Sequence, residues 1–195
     1  MIPSAETIGD FDSRKYAVCR AMLQEPARSL YYKYACKQAS ANRMGPGDEQ
    51  VPNTSTAYGD LFMDGLLNDL VPLVQHATGR MVFPTYSYLR VYKTGDTLAK
   101  HTDRASCEIS VTLCLGYEAS RPWPIWIEGP QGVASVDLEP GDGLVYCGIE
   151  CPHWRDAFEG THQAQVFLHY VDRTGPHAAR RFDKRLSLTT PAVLR

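Results

Sequence analysis

From residue 83 onward the chain breaks into short β-prone runs at 86–92, 108–115, 124–127, 133–138, 143–147 and 163–171, each set off by Gly or Pro turns. Several such runs in succession, rich in Val, Ile, Tyr and Phe, specify a sandwich or jelly roll, because each strand can bury only one face and needs a facing sheet. Residues 1–80 instead carry helical spacing. Helices first and strands afterwards exclude a doubly wound sheet and predict an α+β, mainly β fold: a β core with N-terminal supporting helices. At 195 residues and 44% hydrophobic content, the chain suits one domain. It divides into helical support (1–80), β core (83–171) and a C-terminal tail (172–195).

Within the N-terminal part, Tyr16, Cys19, Met22 and Leu23 recur at helical spacing and predict a helix over 12–24. Pro26 suits the first turn of a second helix carrying Leu30, Tyr31, Tyr34 and Ala35. Residues 45–56 are rich in Gly, Pro, Asn, Ser and Thr without periodicity and read as a loop, long enough to serve as a lid. A third helix is predicted over 63–78, with Leu66, Leu67, Leu70 and Val74 on one face, Gly79 as its stop and Pro72 as a kink or break.

Twenty basic and 22 acidic residues give a net charge of -2 with no long run of either sign, which argues against a nucleic-acid partner. The basic stretch at 180–185 reads as a solvated tail. The N-terminus lacks a signal-peptide pattern and no run of apolar residues is long enough to span a bilayer, so the expectation is a cytoplasmic protein without a membrane partner. The six cysteines are scattered through ordinary core sequence and read as reduced thiols. Cys147 and Cys151 precede His153, but no second cysteine pair follows to build a structural zinc site, and small buried residues are the better reading.

His101-Thr102-Asp103, followed fifty residues later by His153, carries the chemistry. On an extended strand residues two apart share a face, so His101 and Asp103 can reach one metal ion, and a histidine on a facing strand completes the set. Two imidazoles and one carboxylate with open positions are the donor set of mononuclear non-heme iron(II) oxygenases. By the same alternation Gln163, Gln165, Phe167 and His169 share one face of the last strand. Polar groups on an inward face need partners, so this row is expected to line the pocket.

Tyr92-Lys93-Thr94-Gly95 ahead of His101-Thr102-Asp103, then Leu138-Glu139-Pro140-Gly141-Asp142 before the strand leading to His153, resembles the double-stranded β-helix (jelly roll, cupin-like) core of the iron(II)/2-oxoglutarate-dependent dioxygenases, most nearly the prolyl 4-hydroxylase-like branch. The resemblance covers 83–170. It implies Fe(II) held by His101, Asp103 and His153, with 2-oxoglutarate as co-substrate and dioxygen as oxidant. The implied reaction hydroxylates an unactivated C–H of a peptidyl or small amino-acid-like substrate and releases succinate and carbon dioxide. The carboxylate of Asp103 points to hydroxylation and not halogenation, and Tyr92 matches the family's tyrosine that hydrogen-bonds the co-substrate.

The chain departs from the family where the distal carboxylate of 2-oxoglutarate is held. The usual Lys or Arg ten residues after the second histidine is Gln163 here. Arg155, Arg90, or neutral hydrogen bonds from Gln163 and Gln165 are the substitutes, with Arg geometry favouring a paired contact to carboxylate. Arg104 and Glu108, beside the metal-binding strand, and Trp154 are the expected substrate contacts. Two other readings stand: a non-heme iron oxidase whose own substrate chelates the metal, and a cupin-like binding module without turnover.

Overall fold

Alternation along two long strands sets the architecture. In the computed structural model, which describes residues 6–8 and 10–190, β4 (Val82–Lys93) and β11 (His162–Asp172) pair antiparallel along their whole length. Ala164, Val166, Leu168 and Tyr170 of β11 and Leu89 and Val91 of β4 turn to one side and join the main apolar core. Gln163, Gln165, Phe167 and His169, with Tyr86, Tyr88, Arg90 and Tyr92, turn to the other. One face of the sheet is therefore apolar and the other carries the polar groups, as the alternation of strand side chains requires.

Among the described residues the major sheet has seven strands, in the order β1 (Glu6–Ile8), β2 (Tyr16–Arg20), β9 (Gly143–Cys147), β6 (Ile109–Glu118), β11, β4 and β3 (Ser55–Tyr58). The minor sheet has four, β5 (Leu98–His101), β10 (His153–Arg155), β7 (Ile125–Gly129) and β8 (Gly132–Val136). All pairings are antiparallel, and the two sheets form the expected jelly roll.

The apolar face of the major sheet is covered by α2 (Ala27–Ser40), α3 (Leu61–Asp69) and α4 (Val71–Thr78). Leu66, Leu67, Leu70 and Val74 are buried there, as their spacing predicts. The helix expected over 63–78 is two: Leu70 ends α3, and Pro72 sits in the first turn of α4, where its missing N–H costs no helical hydrogen bond. Asp60 caps α3 by accepting from the amides of Phe62 and Met63.

The helix expected over 12–24 is not formed. A four-residue helix, α1 (Phe11–Arg14), gives way at Lys15 (φ 64°) to β2, which ends at Ala21 (φ 49°). Ala17 and Cys19 are fully buried at strand spacing, so the edge of the major sheet outweighed a pattern that Cys19 satisfies in either period. Among the described residues the first eighty are thus helices plus three strands of the sheet. Residues 45–54 are the loop that composition indicates, closed on itself by a bridge between Gly45 and Thr56, and residues 55–58 form β3.

The C-terminal segment also departs from expectation. Beyond β11 it runs back across the end of the sheets, and Arg185 is buried in an ion pair with Asp64 of α3, while Ser87 donates to the same carboxylate. Just before it, Phe182 and Asp183 adopt left-handed backbone (φ 60° and 53°), and Asp183 accepts two hydrogen bonds from Arg104 and one each from Ser106 and Tyr58. It is a strap held by two ion pairs. No helix among the described residues is long and apolar enough to cross a membrane.

Candidate metal centre

His153 and His101 face each other directly across the antiparallel pair β10–β5, with ring centroids 4.3 Å apart. Nδ1 of His101 lies 2.8 Å from the carbonyl of Ala99, and Nδ1 of His153 lies 3.0 Å from the carbonyl of Cys151. A carbonyl can only accept, so both Nδ1 atoms carry the proton and both Nε2 atoms present a lone pair to the site. Burial holds the His153 imidazole below its ordinary pKa, which keeps it the neutral donor a metal requires.

Asp103 is not on the strand with His101. β5 ends at His101, and the carboxylate enters from the irregular stretch that follows, where the Asp103 amide donates to the carbonyl of Gly148 at 2.8 Å. Oδ1 of Asp103 lies 3.7 Å from His101 Nε2 and 3.8 Å from His153 Nε2. Oδ2 accepts from Ser110 Oγ at 2.8 Å, and Ser110 in turn meets His169 Nδ1 at 2.9 Å. Three donor atoms therefore converge, and one carboxylate oxygen is anchored from behind. Gly148 permits this: a Cβ there would collide with the Asp103 carboxylate, the Cys107 carbonyl and Ser110 Oγ.

The three donors open into a cavity of about 720 Å³, walled by Tyr86, Tyr88, Tyr146 and Phe167, with Arg90, Arg104 and Lys184 as its cations. Of the residues singled out by sequence, Arg90 (2% exposed) is held in an ion pair by Asp48 of the 45–54 loop. Arg155 (1% exposed) follows His153 on the inward face of β10 and lies over the Trp123 ring, 4.8 Å from its centroid. One of its nitrogens donates to the Trp123 carbonyl, Nε and Nη2 have no partner, and it forms no ion pair among the described residues. Burial without a counter-charge lowers its pKa.

Tyr92, Gln163 and Gln165 are buried on the same inner surface of the jelly roll. Gln163 donates to Gln165 (2.8 Å), Gln165 donates to Thr112 (2.7 Å), and Gln163 Oε1 has no partner among the described residues. Arg104 lines the cavity but is turned to Asp183 and stacks over Tyr86. Glu108 and Trp154 lie away from the cavity. Glu108 accepts from the Asp172 amide at the end of β11. Trp154, between the inward-facing His153 and Arg155, must point outward, and it stacks on Trp126 under Lys100. Gly148, Ser110, Asp48 and Lys184 escape the sequence reading because only the fold brings them to the site.

No family model and no curated protein matches this sequence. Solved structures do match in fold. A Pseudomonas putida prolyl-4-hydroxylase is 16% identical with a TM-score of 0.67, covering 84% of this chain and 96% of its own. The non-heme alpha-ketoglutarate-dependent epimerase SnoN from nogalamycin biosynthesis is 13% identical with a TM-score of 0.73, covering 95% and 90%. HygX from Streptomyces hygroscopicus, solved with nickel, 2-oxoglutarate and hygromycin B, is 12% identical with a TM-score of 0.64, covering 84% and 85%. The chain shares the jelly-roll fold of these proteins.

Proposed function

We propose that this protein is an iron(II)- and 2-oxoglutarate-dependent dioxygenase that hydroxylates an unactivated C–H bond of a peptidyl or small amino-acid-like substrate. Substrate, dioxygen and 2-oxoglutarate go in; hydroxylated substrate, succinate and carbon dioxide come out. The observation that carries this reading is the convergence of His101 Nε2, Asp103 Oδ1 and His153 Nε2 within a jelly roll of this type. Two neutral imidazoles and one carboxylate fit iron(II) and leave coordination positions free.

The inner surface also fits a dicarboxylic co-substrate. A fully buried guanidinium with two unpartnered nitrogens and no acid partner among the described residues is costly unless an anion joins it. Arg155 would hold the distal carboxylate of 2-oxoglutarate, with Tyr92, Gln163 and Gln165 as neutral hydrogen-bonding groups on the same surface. Arg90 is less suited, since Asp48 already neutralises it.

Bound iron and the 2-oxo acid supply the redox chemistry that couples oxidative decarboxylation to C–H oxidation. The chain supplies ligation, orientation and exclusion of water. Ser110 fixes one oxygen of Asp103 so that the other is left toward the two Nε2 atoms, where it would hold the metal, and the backbone carbonyls of Ala99 and Cys151 hold the two rings in register. Tyr86, Tyr88 and Phe167 give the cavity the apolar walls that exclude bulk water from a reacting substrate.

A second reading, an iron oxidase whose own substrate chelates the metal, draws support from the neutral Gln163 at the family's cation position. The two separate in one experiment. Iron(II), then 2-oxoglutarate, is added to the protein without oxygen, and the weak visible absorption of a metal-chelated 2-oxo acid is recorded. A band that is lost in Asp103→Ala supports the 2-oxoglutarate reading; iron binding without the band favours the oxidase. Failure of the wild-type protein to bind iron sinks both.

A further inference from the structure

The cavity that holds the three metal donors has a second charged end. Arg90 projects from the middle of β4 into it, 2% exposed, beside the Tyr88 hydroxyl. The acid that neutralises it comes from outside the sheets: Asp48, 38% exposed, on the 45–54 loop, where Tyr88 donates to the same oxygen at 2.8 Å. The cation and the phenol are thus fixed in the sheet, while their anion is delivered by irregular chain.

That anion fills the site incompletely. Asp48 spends Oδ1 on the amides of Gln50 and Val51, both at 3.1 Å, and offers Arg90 only Oδ2. Among the described residues Arg90 Nε is buried without a partner, so one side of the guanidinium fork is unused. A free carboxylate, not tied to a loop backbone, can take two parallel N–H groups of a guanidinium at once, the stronger arrangement. Burial argues the same way, because a desolvated cation demands an anion whatever its source. Beyond Asp48 the loop is held by Val51, which packs with Tyr92, Trp123, Phe158 and Phe167, and by the Gly45–Thr56 bridge.

We infer that Arg90 with Tyr88 is a carboxylate-binding site at the far end of the metal-donor cavity, that Asp48 is its in-chain occupant, and that a carboxylate-bearing small molecule displaces Asp48 and frees the 45–54 loop. The site stands on geometry alone; that its ligand is the substrate of the reaction rests on the oxygenase reading. The substrate class so named is a small molecule with a free carboxylate, and not the interior of a peptide.

The test needs neither iron nor oxygen. Propionate is titrated into the full-length protein, with thermal stabilisation and cleavage by a glutamate-specific protease at the exposed Glu49 as readouts, the other glutamates serving as internal controls. A tethered acid competes at an effective concentration of about millimolar, so Asp48→Asn is expected to bind propionate about tenfold more tightly than wild type and to be cleaved faster at Glu49. Because Arg155 is a second buried cation without an acid partner among the described residues, the titrations are made in the Arg155→Met background, where Asp48→Asn is expected to keep its tightened propionate binding and the further change Arg90→Met to abolish it. Propionate affinity unchanged by Asp48→Asn, or tightened but insensitive to Arg90→Met, overturns the inference. If propionate displaces 2-oxoglutarate from the iron-loaded protein and Arg90→Met, but not Arg155→Met, removes that competition, Arg90 serves the co-substrate and the separate site is refuted. Because the first arms use metal-free protein, their failure leaves the oxygenase reading untouched.

Discussion

The backbone carbonyl of Gly148 accepts the amide of Asp103 at 2.8 Å, and a methyl group on Gly148 would occupy the space of that same residue's carboxylate. The absence of a side chain at one position thereby sets where a carboxylate oxygen lies at another. Gly148→Ala is expected to push the Asp103 carboxylate off its convergence point and lower iron(II) affinity about 10- to 100-fold, the range typical of residues that orient a ligand from behind. A cobalt(II) absorption titration measures it, with Ser110→Ala as the milder companion. Unchanged affinity in both would mean that Asp103 is positioned by other means.

Arg155 gives a prediction with two opposite signs. Replacing it by Met removes a buried cation without a counter-charge, so the metal-free variant should melt at a higher temperature than wild type. Its affinity for 2-oxoglutarate in the iron-loaded form should fall at least about 30-fold, the cost of losing one side of a buried charge pair. Gln163→Lys in the Arg155→Met background, which puts a cation back on the same inner surface, should recover part of the loss. Retention of full 2-oxoglutarate affinity in Arg155→Met would remove Arg155 from the co-substrate site.

The pair Arg185–Asp64 ties the C-terminal strap to α3 with both side chains buried. Arg185→Met strands a buried carboxylate, and a loss of about 3–5 kcal/mol is expected in urea unfolding. Adding Asp64→Asn should restore a large part, since the stranded charge and not the missing attraction dominates the loss. Equal instability of the single and double variants would contradict this.

Asp183 makes the strap acid-sensitive. Burial alone would raise its pKa, but hydrogen bonds from Arg104, Ser106 and Tyr58, with the charge of Arg104, outweigh it and hold the carboxyl well below the ordinary range. A carboxyl depressed in the folded state contributes stability that is complete above its unfolded value, near pH 3.9, and is lost as the pH falls from there toward the folded value. Wild type should therefore melt above Asp183→Asn at neutral pH, and the gap should close on acidification below about pH 4. A gap that stays constant across that range would assign the loss in Asp183→Asn to packing.

The β core was legible from sequence because its strands are bounded by turn residues and filled with β-prone ones; the run at 143–147 is a strand over just those residues. The pairing of His101 with His153 was legible because both imidazoles project from strands of one sheet. Asp103 reaches the same point by a different route, an irregular stretch, which spacing alone does not distinguish from a strand. The N-terminal strand Tyr16–Arg20 was obscured by residues that satisfy both periods and by left-handed Lys15 and Ala21, neither of which announces that geometry as glycine would. Arg185 and Asp48 look like solvated charges in the chain; each becomes a buried or half-buried partner through a residue more than forty positions away, Asp64 and Arg90 respectively. No local pattern carries that information.

Each metal-donor histidine is oriented by the carbonyl two residues before it, within its own stretch of chain. The choice of tautomer is thus settled during folding and does not wait for the ion. Loading the site then requires no ordering of rings or strands, so a chelator should strip the metal without melting the protein, unlike small zinc domains whose fold exists only while occupied. On the proposed function such a chain would persist empty and be recharged when iron becomes available, which would make occupancy, and not folding, the quantity that iron supply controls.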